Sequence, residues 1–96
     1  MKIFVSARAK QDLLQIFSYL AERNQAAADA IIEAIDRKFE QLSRFPFIGR
    51  KRASLAPGLH SVVVRTHLIF YTVEHERISI VRVIDGRMDV DEEFQR

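Results

Sequence analysis

The side chains best able to do chemistry in this sequence are three histidines, a crowd of carboxylates near the C-terminus and a scatter of arginines and lysines. His60, His67 and His75 fall on or beside what read as successive strands. His67 and His75 stand at opposite ends of one strand, too far apart to share a metal, and no pair has the helix-turn spacing of a zinc site. The chain has no cysteine, so it offers neither a thiolate ligand nor a disulfide framework. Nucleophilic catalysis needs Ser, Thr or Cys beside an oriented base, and no Gly-x-Ser-x-Gly sequence occurs. Three glycines in all cannot build a loop that cradles phosphate. Asp89, Asp91, Glu92 and Glu93 read as a solvated acidic end. No metal ligand, cofactor site or catalytic residue is predicted. One design escapes these tests. Endoribonucleases can cleave RNA with arginines, lysines and a tyrosine on a sheet, stabilising the phosphorane charge without a metal. The candidate tyrosine, Tyr71, lies in an Ile-Phe-Tyr run and reads as packing.

The cations are unevenly spread. Net charge is only +2, yet no Asp or Glu occurs from Gln41 to Val73, a stretch that holds Arg44, Arg50, Lys51, Arg52 and Arg65. A basic middle of this kind suits an acidic partner, either protein or nucleic acid. A solvated loop that keeps the protein soluble accounts for it equally well.

These residues need elements to hold them. Lys2 to Ser6 reads as a short strand, and Ser6 is placed to cap a helix. Ala9, Leu13, Ile16, Phe17 and Leu20 recur at steps of three and four, an amphipathic helix ending near Arg23. Asn24, which tolerates left-handed backbone, suits the break. Ala28, Ile31, Ile35, Phe39 and Leu42 make the stripe of a second helix over about 25–44, and so short a connection predicts an antiparallel hairpin. Phe45-Pro46-Phe47-Ile48-Gly49 ends it, with the aromatic rings expected to plug the end of the hairpin. After Pro57-Gly58 the pattern turns to strands over 59–65, 68–73 and 77–84, joined by hairpin-length gaps. The expectation is an α+β fold of order β-α-α-β-β-β. An antiparallel sheet carries the helical hairpin on one face, and the other face is left largely open. The tail from Asp85 is polar, with Val90 and Phe94 as possible anchors.

Length and composition fit one globular domain over residues 1–96: 48% of residues are hydrophobic and 29% charged. The N-terminus lacks the apolar core of a signal peptide, and no apolar run approaches the roughly 20 residues that span a bilayer. A soluble, cytoplasmic protein is expected.

Asp12-Leu13 with Ile16 and Tyr19, the Phe45-Pro46-Phe47-Ile48-Gly49 punctuation, His67-Leu68-Ile69-Phe70-Tyr71, and Ile80-Val81-Arg82-Val83-Ile84-Asp85-Gly86-Arg87-Met88-Asp89 occur in this order. Together they resemble the ParE branch of the RelE/ParE toxin superfamily. The resemblance implies the toxin half of a type II toxin–antitoxin module. It also implies a cognate ParD-like antitoxin, forming a hetero-oligomer, and DNA gyrase as target. The RelE-like branch cleaves mRNA on the ribosome with strand lysines, two arginines and a tail tyrosine. Here the aligned positions hold Ser61, Val63 and Leu68, Arg87 alone matches, and Phe94 replaces the tyrosine. A phenyl ring cannot exchange a proton and valine cannot stabilise phosphate charge. The resemblance therefore favours gyrase binding over the nuclease alternative, with a non-toxic partner-binding relative as the third reading. Arg50, Lys51, Arg52, Arg65, Arg82 and Arg87 are the residues expected to meet acidic groups of antitoxin or target. For Arg82 the competing expectation is an ion pair with Glu74 or Glu76, worth under about 1 kcal/mol if exposed.

Overall fold

The computed structural model describes residues 1–95. Along the chain run β1 (Lys2–Val5), α1 (Ala7–Arg23), α2 (Gln25–Arg44), β2 (Arg50–Lys51), β3 (His60–Val64), β4 (His67–Glu74), β5 (Arg77–Asp85) and α3 (Val90–Phe94). The α+β class, the helical hairpin and the β3–β4–β5 antiparallel meander are as predicted. The sheet is not antiparallel throughout: β1 adds to β5 in parallel, giving the order β1-β5-β4-β3-β2.

Each helix begins where a short polar side chain can satisfy its free N–H groups. Ser6 Oγ accepts from Ala9 N at 3.0 Å and Asn24 Oδ1 accepts from Ala27 N at 3.2 Å. Asn24 is extended (φ −159°), not left-handed, so its service to the break is as the cap of α2. The apolar stripes then pack on the sheet. Ala9, Ile31, Ile35 and Leu42 meet Val62, Val64, Ile69, Tyr71, Ile78, Ile80 and Val83 in the main core. Each fully buried aliphatic side chain stabilises by about 1.5–3 kcal/mol relative to exposure, a sizeable share of a typical total of roughly 5–15 kcal/mol.

The opposite sheet face is covered rather than open. Leu59, Phe70 and Ile84 are buried there beneath Leu55, Ala56, Val90 and Phe94, and the Phe94 ring lies 5.3 Å from that of Phe70. The tail anchors thus do their expected work, but by folding a third helix over the face. The aromatic residues after α2 do not plug the hairpin. Phe45 and Phe47 are 58% and 68% exposed.

A bulge in β5 sets the site. Phe70 pairs with Arg82 and Tyr71 with Ile80, so Val81 is an extra residue. Side-chain parity flips there: Ile78 and Ile80 face the helical hairpin, whereas Arg82 and Ile84 face the small second core.

Candidate interaction surface

β1 covers the outer edge of β5 only as far as Ile80. Beyond it, side chains from the start of α1 finish the edge. Ser6 N donates to Ile80 O at 3.0 Å, Ser6 Oγ to Val81 O at 3.1 Å, and Val83 N to Asp12 Oδ2 at 3.0 Å. The same carboxylate receives Arg82 Nε at 2.7 Å and Nη2 at 3.2 Å. Arg82 Nη1 then donates to Glu93 O at 2.7 Å. Both side chains are buried, at 7% and 5% exposure. One bidentate pair therefore ties α1, β5 and α3 together. The structure overturns both expectations for Arg82. Its guanidinium is turned inward and fully committed, and its acid is Asp12, not Glu74 or Glu76.

The other five cations separate into an inward one and two exposed pairs. Arg52 turns inward: its Nε donates to Ser61 Oγ at 2.8 Å and its guanidinium carbon lies 5.8 Å from the centre of the Phe70 ring. Arg50 and Lys51 are exposed on β2, opposite Ser61 and His60. Arg65 occupies the β3–β4 turn with φ 56°, and beside it Arg87 follows β5, the two sharing a shallow depression with Val63 and His67. Arg87 grips Asp85 with Nη2–Oδ2 at 2.6 Å, and this contact holds the Asp85 carboxyl down to about 2.

A cleft of about 280 Å³ opens at this end of the sheet between Ile16, Tyr19, Leu20, His67, Asp85 and Arg87. His67 is 9% exposed, and its Nδ1 has no hydrogen-bond partner among the described residues. Burial lowers its pKa, with Asp85 opposing and Arg87 adding to the shift. Tyr71 stays away from the cleft. It is fully buried, its Oη accepts from Gly49 N at 2.9 Å, and burial pushes its phenol up. At the positions aligned with nuclease side chains, Ser61 is buried, Val63 is 61% exposed and Phe94 packs on Phe70. Arg65, Arg82, Arg87 and Tyr71 do not converge. Sequence reasoning missed Asp12 and the cleft. The one available signal was an acid at a core-facing step of the α1 stripe.

The fold and these positions can be set beside known proteins. A family model described as the ParE toxin of the type II toxin–antitoxin system, parDE, matches residues 3–90. The chain belongs to the ParE toxin family. Toxin ParE3 of Caulobacter vibrioides is 36% identical over 80 residues, spanning 82% of this chain and 80% of that toxin. Toxin ParE1 of Mycobacterium tuberculosis is 32% identical over 65 residues, 67% of this chain and 66% of its own length. Among solved structures, a chain of the chromosomal ParDE toxin–antitoxin system from P. aeruginosa superposes with a TM-score of 0.75. It covers 88% of this chain and 95% of its own, and at 19% identity it speaks for the fold alone. A chain of the RelBE2 toxin–antitoxin complex of M. tuberculosis gives 0.62 at 25% identity, with the same coverage. This ParE-type chain thus shares its fold with chains of both a ParDE and a RelBE2 toxin–antitoxin system.

Proposed function

We propose that this toxin arrests growth in the cytoplasm by stoichiometric binding to DNA gyrase, without catalysis, as one domain over residues 1–96. A ParD-like antitoxin neutralises it by forming a hetero-oligomer. One observation supports this reading above the others: the groups that metal-free RNA cleavage would need are dispersed. Tyr71 is fully buried against Gly49, Arg82 is spent on Asp12, and Val63 and Leu68 stand at the positions aligned with basic residues in the RelE-like branch. Removing a single preorganised charge stabiliser typically costs about 10²–10³ in rate. Losing several at once leaves little catalysis to select. An antitoxin partner is supported by the family and by the solved relatives, which are toxin–antitoxin assemblies. Arg50, Lys51, Arg65 and Arg87 are the exposed cations available to acidic groups of either partner.

Purified protein added to gyrase supercoiling and, separately, to ribosome-programmed mRNA tests the reading. Loss of supercoiling at near-equimolar toxin, with mRNA intact, is expected. Cleavage of mRNA with gyrase untouched would establish the nuclease alternative, whose best support is the shared position of Arg65, His67 and Arg87. Inertness in both assays would point to a non-toxic binding relative.

A further inference from the structure

The cleft between α1 and the neighbouring ends of β4 and β5 gathers polar groups that the fold itself leaves unpaired. Its α1 wall is two rows one helical turn apart, Gln15 with Tyr19 and Ile16 with Leu20. Two such rows make a flat, mostly apolar surface. The facing wall is His67 at the start of β4, with Asp85 and Arg87 at the mouth. Ligand pockets combine an apolar lining with a few convergent polar groups and begin at roughly 300 Å³. At about 280 Å³ this cleft is of the size that takes a small molecule. Three polar groups in its lining have no partner among the described residues: the Gln15 amide, His67 Nδ1 and Arg87 Nη1. A polar atom left unsatisfied in a folded chain calls for a partner from outside it.

The class of ligand follows from which charges are already spent. Asp85, the one acid in the lining, accepts from Arg87 N at 2.9 Å, from Nε at 3.0 and 3.2 Å and from Nη2 at 2.6 Å. An ionised carboxylate has about four acceptor positions, so Asp85 has little left for a ligand's donor. Arg87 carries five N–H donors and commits Nε and one side of Nη2 to Asp85, leaving Nη1 for an acceptor. Arg65, beside Arg87, adds charge of the same sign. The cleft therefore offers spare positive charge and no spare negative charge. We infer that it binds a small planar aromatic carboxylate. The ring lies along Ile16 and Leu20, and the carboxylate accepts from Arg87 Nη1 and the Gln15 amide. Arg87 is 75% exposed, and exposed ion pairs contribute little. Affinity thus comes from the apolar wall, and the cation selects for an anion. The inference does not depend on gyrase as target.

The test titrates the isotopically labelled full chain with indole-3-carboxylate and, separately, with indole, acetate and tryptamine. Indole-3-carboxylate is expected to shift signals at residues 15–20, 67 and 85–87, with a Kd of about 1 mM or below. The other three should each bind about tenfold more weakly, since they lack the carboxylate, the ring or the matching charge. Two variants should move the affinity in opposite directions, which a merely structural role would not do. Arg87→Gln weakens indole-3-carboxylate about fivefold or more and leaves indole unchanged. Asp85→Asn releases the guanidinium while keeping an acceptor for Arg87 N, and tightens indole-3-carboxylate several-fold. Gln15→Trp, at an exposed helix position, fills the cleft and abolishes binding of both. Circular dichroism of all three variants should match that of the wild type. Equal binding of tryptamine, shifts confined to other elements, or no shift at about 10 mM ligand would overturn the inference. So would unchanged affinity in Arg87→Gln or weaker binding in Asp85→Asn.

Discussion

Replacing Asp12 with alanine removes the anion that Arg82 and the Val83 N–H share, and the consequence can be worked from the geometry. Arg82 loses bonds of 2.7 and 3.2 Å to the carboxylate and keeps only its contact with Glu93 O, while Val83 N loses its acceptor at 3.0 Å. Removing one partner of a buried pair costs about 3–5 kcal/mol, because a charge is left uncompensated away from water. For a chain of this size that corresponds to a fall in Tm of at least about 12 °C. Replacing both partners with apolar residues of similar volume behaves differently, since no stranded charge remains. Asp12→Leu/Arg82→Met should recover about 2 kcal/mol of the loss. A residual cost of about 1–3 kcal/mol should persist from the orphaned Val83 N–H. Urea unfolding followed by circular dichroism on the two single variants and the double variant closes the cycle, and a coupling energy of several kcal/mol is expected. A loss below about 1 kcal/mol for Asp12→Ala, the level of an exposed pair, would refute the reasoning. So would simple additivity. The double variant also leaves every exposed arginine and lysine in place. On the reading above it keeps partner binding, whereas a role for Arg82 in partner contact would abolish it.

Three further outcomes follow from local geometry. Gly49→Ala drives a methyl group into Tyr71 Oη and to 2.8 Å from Ser61 O; urea unfolding should show a loss of about 1–3 kcal/mol. Burial lowers the folded pKa of His67 below the ordinary 6.5, with Asp85 opposing and Arg87 adding to the shift. The unfolded chain then binds the proton more readily, and stability should decline as pH falls below about 6.5. Thermal unfolding across pH should show that slope in the wild type and lose this component in His67→Leu. For Asp85 the shift has the same direction and the same sign of linkage, at lower pH. With the folded value down to about 2, the contribution of the Arg87 contact is present above the ordinary 3.8 and fades as pH falls toward 2. Carboxyl titration by NMR should show the value return toward 3.8 in Arg87→Gln.

The parts of the fold that announce themselves in the sequence are those with enough repeats to show a period. α2 carries a five-residue apolar stripe without Gly or Pro, and the meander carries dense β-branched and aromatic residues; both lie where the pattern puts them. β2 has two residues, too few for any period, and α3 has five, read beforehand only as a polar tail with two anchors. The parallel placement of β1 depends on which strand it meets across the fold, and four residues of alternating pattern serve either direction. Arg82 was expected at the surface because nothing local in the sequence names its partner. The extra residue at Val81 moves Arg82 to the face opposite Ile80, and its acid lies 70 positions earlier in the chain. Phe45 and Phe47 were assigned to the interior on hydrophobicity alone, which favours burial without guaranteeing a cavity to enter.

The two pairs of exposed cations bear on how a partner must be built. Arg50 and Lys51 lie opposite Ser61 and His60 near the start of β3, whereas Arg65 follows its end and Arg87 stands across the sheet beside it. Four or five strand residues separate the pairs, roughly 13–17 Å at about 3.3 Å per residue. At that distance exposed charges are largely screened from one another in physiological salt. A compact acidic group can therefore meet Arg65 and Arg87, or one of Arg50 and Lys51, which project from opposite faces of β2, but not all four. A chain lying along the surface can reach the two in sequence, adding its contacts nearly independently. If one protein neutralises this toxin by meeting all four residues, it must do so as an extended segment rather than a knob.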